Sequence, residues 1–330
     1  MPKVSVIIPT FNRERFVGLS IDSVMSQTYK DIEVIIVDDG STDNTQQVLG
    51  TYGNKIRVIK QNNSGKSQAL NRGIDTARGE WVGILDSDDE WIPGYLEWQM
   101  KRVDRNPNVI AHITNSVTIQ LNGAREDHFF ETRLTGKFGE KECMLLERPL
   151  RTIVNHHPWF CQATIMKRNL LLQAGGFDRT LNIAEDLDII SKMALRGPFS
   201  ICKKPLVYVI RRSEDIPNLV AQAKKNRIYM YQAFSQVFVN LLANPDLTRA
   251  ERMAINRALS HSWRALGNAF VIARRKTEAR QYYMKSFFIY PSIRSIIKSI
   301  ATVFPEKISV SLVKGDGHRS KGKDTSKTSG

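Results

Sequence analysis

Several features that would settle the class of this chain at once are scarce or missing. Only 3 of its 330 residues are cysteine. Cys143, Cys161 and Cys202 are widely spaced and odd in number, which fits reduced packing thiols better than a disulfide framework or a zinc site. No apolar run approaches the roughly 20 residues needed to cross a bilayer, and residues 1–3 pass straight into a strand without a signal pattern. The location expected from this is cytoplasmic. A phosphate-binding P-loop is incomplete: Gly65-Lys66-Ser67 matches its tail, but the required first glycine falls on Lys60. Asn63 and Gly65 still let backbone approach a ligand closely, which needs no P-loop chemistry. No convincing Ser/His/Asp set is present, and His156 and His157 read as structural or loop residues. Acidic residues are the minority charge, 33 against 48 basic, for a formal net charge of +15 and a pI near 9.8. Anionic partners follow: nucleic acid, phosphorylated metabolites or a membrane surface.

What the chain has is an ordinary globular composition, 42% hydrophobic and 25% charged, with room for one large domain and a smaller one. Its first part alternates strands and helices. Residues 3–9, 33–37, 56–59 and 81–85 are short apolar, β-branched runs, and the stretches between them carry apolar residues at helical spacing, as in Val17, Ile21 and Val24. Strands that are apolar throughout and separated by helices predict a mostly parallel sheet flanked by helices. Residues 109–122 turn strand-like and end in Asn122-Gly123, a hairpin signal, which suggests an irregular β layer over one end of the sheet. After residues 205–211 the pattern becomes helical, with a break at "NPDLT". Trp263, Leu266, Gly267, Phe270, Ala279, Tyr283 and Pro291 fall at the spacing of one tetratricopeptide unit. Residues 287–313 mix Phe, Ile and Val with Lys and Arg, so that the segment either lies on an anionic membrane surface or packs with a solvated basic face. Residues 314–330 are low-complexity and basic, and are expected to be disordered. The expected division is 1–212, 213–313 and 314–330.

The acids that do occur are unevenly placed. "ILDSDDEW" puts Asp86, Asp88, Asp89 and Glu90 within five positions. Two carboxylates about 4 Å apart repel by roughly 4 kcal/mol at an effective dielectric near 20, so a converging set needs a cation, a shared proton or open water. Asp38, Asp39, Asp86 and Asp88 all follow predicted strands, and ligands of open α/β sheets bind at such strand ends. Glu185 and Asp186 stand at a predicted helix start, where capping alone would explain them.

Four ordered blocks, "SVIIPTFNR", "IIVDDGSTDNT", "NNSGKSQALNRGIDTARGEWVGILDSDDEWIP" and "GGFDRTLNIAEDLDI", resemble the signatures of glycosyltransferase family 2 over about residues 3–210. The resemblance implies a GT-A fold, a nucleotide-diphosphate sugar donor, most often uridine-linked, and transfer with inversion at the anomeric carbon. It implies that Asp38 and Asp39 lie in the donor site with Asp39 on the nucleotide base, that Pro9 and Thr10 pack beside that base, and that Asn63 and Gly65 approach the donor. It further implies that Asp86, Ser87 and Asp88 form the DxD element, with Asp86 and Asp88 binding ribose and a divalent cation, Mg2+ or Mn2+. Asp186 matches the general base and Glu185 the residue that orients it or touches the acceptor. The acceptor implied is a glycan or lipid-linked glycan of surface polysaccharide synthesis, with peripheral contact to the inner face of the cell membrane and no nucleic-acid partner. Two rivals share some of these features. A sugar-phosphate nucleotidyltransferase also needs a nucleotide-binding sheet and metal-binding acids, but lacks here its glycine-rich N-terminal phosphate loop. A nucleic-acid or peptide adaptor would use the basic charge and helical tail, but acids at strand ends repel phosphate unless a metal intervenes.

Overall fold

The run VSVIIPT forms β1 (Val4–Thr10), buried at every position. Such a strand requires cover on both faces and partners on both edges. In the computed structural model, which describes residues 1–127, 138, 140–156, 161–212 and 226–303, β1 pairs in parallel with β2 (Ile32–Asp38) on one side and with β4 (Trp81–Ile84) on the other. β3 (Arg57–Lys60) continues the parallel ladder beyond β2. The crossovers carry α1 (Val17–Met25), α2 (Thr45–Gly50) and α3 (Lys66–Thr76). α3 buries Ala69, Leu70 and Ile74 and lies so close to β1 that a Cβ at Gly73 would stand 2.5 Å from Ile7 Cγ2. Chain order therefore runs outward from β1 to β3 and then returns to β1's other edge, which makes β1 and β4 the switch point where such sheets open a crevice.

The same sheet goes on past β4. β9 (Thr164–Lys167) inserts antiparallel between β4 and β6 (Ala111–Ile119), and β10 (Phe199–Ile210) runs parallel to β6. β5 (Glu90–Trp91) closes the order on the far edge of β10. The expected separate β layer is thus a continuation of the main sheet. A nine-residue strand buried at nearly every position has to sit inside a sheet rather than over its end. The hairpin at Asn122-Gly123 is present and leads to β7 (Arg125–Asp127), with Gly123 at φ 78°. α4 (Tyr95–Arg105), α5 (Leu150–Asn155), α6 (Arg168–Gln173) and α7 (Glu185–Ala194) complete this part. The reading of all three cysteines as thiols is corrected. β8 (Cys143–Leu146) pairs antiparallel with β10 so that Cys143 faces Cys202, and the two form a disulfide. Strand register creates that pairing across 59 residues of sequence. Cys161 remains free and buried.

The chain divides into two compact units, Met1–Leu219 and Val220–Gly330. The second is helical: α8 (Arg227–Leu242), α9 (Arg249–Ile272), α10 (Lys276–Ile289) and α11 (Ile293–Ala301). The "NPDLT" break falls between α8 and α9, where Thr248 and Glu251 form a reciprocal capping box. Leu266, Phe270, Val271, Ala279 and Tyr283 make the core of the α9–α10 hairpin, so five of the tetratricopeptide positions, Gly267 included, are packed, whereas Trp263 is half-buried and Pro291 exposed. No helix among the described residues is long and apolar enough to cross a membrane. The expected disordered tail and His157 lie outside the described residues, and the basic amphipathic segment is described only as far as Val303.

At Gly267 an added Cβ would meet the Tyr283 ring at 2.5–3.0 Å, and the Tyr283 hydroxyl is fixed on Asn268 Oδ1 at 2.8 Å. Gly267→Ala gains about 1 kcal/mol in helix propensity and loses about 1–3 kcal/mol to overpacking. A net fall in unfolding midpoint is expected in urea titrations followed by circular dichroism. A midpoint equal to or above that of the parent chain would refute this packing.

Candidate functional site

The loops at the carboxyl ends of β1, β2 and β4 are held together by short polar contacts. Thr10 stands opposite Asp38, and the Asp39 amide donates to Thr10 carbonyl at 2.9 Å. Asp38 is buried and accepts from Ser41 N at 3.0 Å, from Ser41 Oγ and from Gln46 Nε2. It therefore shapes the turn into α2. Asp39 Oδ1 accepts from Gln61 Nε2 at 2.7 Å and from Ser64 N at 2.8 Å, while Oδ2 accepts from Gly65 N at 2.8 Å. These bonds tie the end of β2 to the loop that starts α3. Asn63 is exposed in that loop, and its amide lies so near Gly40 (φ 80°) that a Cβ there would be 2.9 Å away. Pro9 and Thr10 are buried at the end of β1, and Thr10 Oγ1 has no hydrogen-bond partner among the described residues.

The acid run after β4 divides by role. Asp89 is only 4% exposed and accepts from Ile210 N at 2.9 Å and Gln162 Nε2 at 2.8 Å. It bolts the end of β10 to this turn, and burial followed by the charges of Asp86 and Asp88 raises its pKa well above the usual carboxylate range. The side chains of Asp86 and Asp88 stay 24% and 22% exposed, on either side of the buried Ser87. Asp88 lies 3.5 Å from Arg13 Nε. Burial, then the charge of Asp86, raises the Asp88 pKa, against the opposing pull of Arg13, Lys66 and Arg212. Arg212 donates to the Asp88 carbonyl at 2.8 Å and stacks on Phe16, 4.3 Å from the ring centre.

The second pair of acids arrives from elsewhere in the chain. α3 pins the loop that precedes α7: Asn71 exchanges two 2.8 Å bonds with the Phe177 backbone, and Ser67 Oγ donates to Leu181 carbonyl at 3.0 Å. Ala184, just before α7, sits in the left-handed region at φ 68°. That conformation costs a non-glycine residue about 1–2 kcal/mol and is concentrated at functional sites. Glu185 and Asp186 then face α3 rather than acting only as dipole caps. Lys66 Nζ, in the first turn of α3, lies 2.9 Å from Asp86 Oδ1 and 3.3 Å from Glu185 Oε1. Burial alone would lower the Lys66 pKa, but the charges of Asp86, Glu185 and Asp186 together hold it well above its ordinary value. Asp186 Oδ2 accepts from Cys161 N at 3.2 Å, and its buried Oδ1 has no hydrogen-bond partner among the described residues. Its pKa is raised, first by burial and then by Asp86, with Lys66 opposing. Burial pushes Glu185 up to about 7, with Lys66 opposing and Asp186 adding to the rise.

The structure thus joins Asp86, Glu185 and Asp186 around Lys66, with Asp88 beside Asp86, and places Asp38, Asp39, Asn63 and Gly65 along the neighbouring loops. Nothing in the sequence marks Arg13, Arg212, Cys161 or Gln162 as part of the site. Lys66 did carry a signal, a cation directly after a glycine at a helix start. Among the described residues no three His, Cys, Asp or Glu side chains are placed to hold a metal ion. Asp86 and Asp88 nevertheless offer the hard oxygen donors that Mg2+ or Mn2+ prefers, and such ions take their remaining ligands from phosphate and water.

An α/β sheet with acids gathered at its switch point defines a GT-A-type fold, and the first 349 residues of TarS from S. aureus, crystallised with UDP-GlcNAc, share it. The TM-score is 0.68 at 20% identity, covering 97% of this chain and 93% of that one. Residues 5–168 match the model of Glycosyl transferase family 2, and the chain belongs to that family. An uncharacterized glycosyltransferase of Rickettsia prowazekii is 30% identical over 57% of each chain. Chondroitin synthase of Pasteurella multocida is 28% identical over 72% of this chain and 24% of its own length. The matched region is thus little more than half of the first relative and about a quarter of the second.

A carboxyl whose folded pKa stands above its unfolded value favours the folded state most below the unfolded value, and that advantage is lost as pH rises through the folded value. For Glu185 this window runs from about 4.5 to about 7. Melting temperatures of the parent chain and Glu185→Gln should be closest near pH 4.5, and the variant should gain on the parent as pH approaches 7.5. A difference that does not change with pH would contradict the burial of a proton-binding Glu185.

Proposed function

We propose that the chain transfers a sugar from a nucleotide-diphosphate sugar, UDP-linked, to a hydroxyl of a glycan or lipid-linked acceptor, with inversion at the anomeric carbon. The observation that carries this reading is the meeting of two acid pairs, one at the end of β4 and one at the start of α7, on a single lysine at the sheet's switch point. Each pair has a different chemical capacity. Asp86 and Asp88 are partly open and suit a cation on a diphosphate. Asp186 is half-buried, and its inner Oδ1 has no hydrogen-bond partner among the described residues, which suits proton uptake.

In the proposed reaction the acceptor oxygen forms a bond to the anomeric carbon as the bond from that carbon to the β-phosphate oxygen breaks. The acceptor proton passes to Asp186, and a nucleoside diphosphate leaves with the bonding electrons. One displacement inverts the centre and needs no covalent nucleophile. Burial and Asp86 raise the basicity of Asp186, while Lys66 keeps its carboxylate charged; a base is most effective when its pKa lies near the working pH. Glu185, also on Lys66, would orient Asp186 or meet the acceptor. A divalent cation held by Asp86 and Asp88, Mg2+ or Mn2+, would offset the charge that develops on the leaving diphosphate. Asp39 fixes the loop with Asn63 and Gly65 beside the buried Pro9 and Thr10, a suitable floor for the base and ribose. The similarity to TarS, whose complex holds UDP-GlcNAc, supports a UDP-sugar donor, and the similarity to chondroitin synthase supports a glycan acceptor in polysaccharide synthesis.

Asp186→Asn should keep donor binding and lose transfer by about 10²–10⁴-fold, the range for removal of a general base. Asp88→Ala should instead weaken donor binding in Mn2+ and lose the difference between Mn2+ and chelator. Calorimetry with UDP-sugars and a coupled assay for released nucleoside diphosphate separate the two effects. Full transfer by Asp186→Asn would remove that residue from the base role.

A further inference from the structure

α11 is amphipathic in the inverse sense for a soluble hairpin, since its polar side faces the protein. Ser295, Lys298, Ser299 and Thr302 are buried. Ile293, Ile296, Ile297 and Ile300, at spacings of three, four and seven, are 75%, 41%, 53% and 55% exposed. Phe288 before the helix and Val303 after it are exposed by 75% and 70%.

This orientation is fixed by hydrogen bonds on the inward side. Ser260, Ser286, Ser295 and Ser292 form a chain of hydroxyl contacts at 2.8, 3.0 and 2.8 Å. Lys298 Nζ donates to Asn268 Oδ1 at 2.9 Å. Turning the isoleucines inward would bury them at the cost of stranding these hydroxyls and an ammonium. Four contiguous isoleucines on one exposed helix face are beyond what scattered surface apolar residues explain.

Charge indicates the occupant. Residues 226–303 hold twelve Lys and Arg against three Asp and Glu, whereas residues 1–212 hold twenty-eight against twenty-five. Arg294 is exposed beside the isoleucine face, and Arg280 and Lys285 accompany Met284 and Phe288 in a shallow groove along α10. Partial burial, then the charges of Arg264, Lys298, Arg257 and Arg294, push the His261 imidazole below its usual range, which marks cations of α9 and α11 gathered around one point. A second copy of the chain would bring another strongly cationic surface to this face and be repelled. An anionic bilayer supplies both the apolar layer for the isoleucines and phosphate charge for the rim.

We propose that the apolar face of α11, with Phe288 and its basic rim, docks in the surface of an anionic phospholipid membrane. This does not rest on the sugar-transfer reading, and its test needs no activity. The full chain should sediment with vesicles of phosphatidylglycerol and phosphatidylcholine, far less with phosphatidylcholine alone, and release as salt rises. The pair Ile293→Glu, Ile297→Glu should weaken sedimentation by at least about tenfold, while Ile293→Leu, Ile297→Leu should retain it. Both variants should keep the parent's far-ultraviolet circular dichroism, because the altered side chains face outward. Unchanged binding by the glutamate pair overturns the proposal. So does a dimer in light scattering that the glutamate pair dissociates without any vesicle binding, which would make the face an interface between copies. Vesicle binding that emerges only after deletion of residues 304–330 also overturns it, since the chain's own end would then be the occupant.

Discussion

One half-buried ammonium group holds the candidate site together. Lys66 balances the charges of Asp86, Glu185 and Asp186, and for Glu185 and Asp186 it opposes the burial that would otherwise drive them toward protonation. Its Cα is fixed by α3, α3 is fixed against β1 by the absence of a side chain at Gly73, and the loop into α7 is fixed on α3 by Asn71 and Ser67. The position of the cation is thus a consequence of backbone packing in the sheet's first half. The same helix aims the acids it neutralises.

The internal counter-charge alters the argument that the acid run raises from sequence. There the repulsion among Asp86, Asp88, Asp89 and Glu90 calls for a cation, a shared proton or open water. In the folded chain Asp89 is withdrawn into hydrogen bonds with Ile210 and Gln162, Asp88 faces Arg13, and Asp86 is paired with Lys66. The chain can therefore fold around these acids by itself. An incoming cation would then compete with two basic side chains for the same oxygens, which couples metal affinity to where Lys66 and Arg13 go when phosphate arrives.

The parallel half of the sheet was legible because its strands are β-branched runs broken by helices at 3.6-residue spacing, and the acids at their ends followed from that pattern. What was hidden depends on pairing between distant segments. Four residues, TIMK, form β9 between β4 and β6, and nothing local distinguishes them from the start of the next helix. The register of β8 on β10 joins Cys143 to Cys202, while spacing alone suggested separate thiols. Cys161 and Gln162 reach opposite acid groups from one short turn, Cys161 to Asp186 and Gln162 to Asp86 and Asp89. In the sequence Lys66 belongs to an incomplete phosphate loop. Its glycine does start a helix, as in such loops, but the helix offers its lysine to carboxylates.

The helical unit repeats the lesson with opposite polarity. The spacing that flagged a tetratricopeptide hairpin identifies real core positions, since Gly267 admits the Tyr283 ring and Leu266, Phe270 and Ala279 close around it. An amphipathic pattern by itself leaves open which side faces inward, because hydrophobicity alone would bury the isoleucines of α11. The decision lies with Ser260, Ser286 and Asn268, residues on other helices that give the polar side of α11 its partners. Polar groups that must be satisfied in a small unit can thus outweigh apolar area, and they leave on its surface the face most in need of a partner.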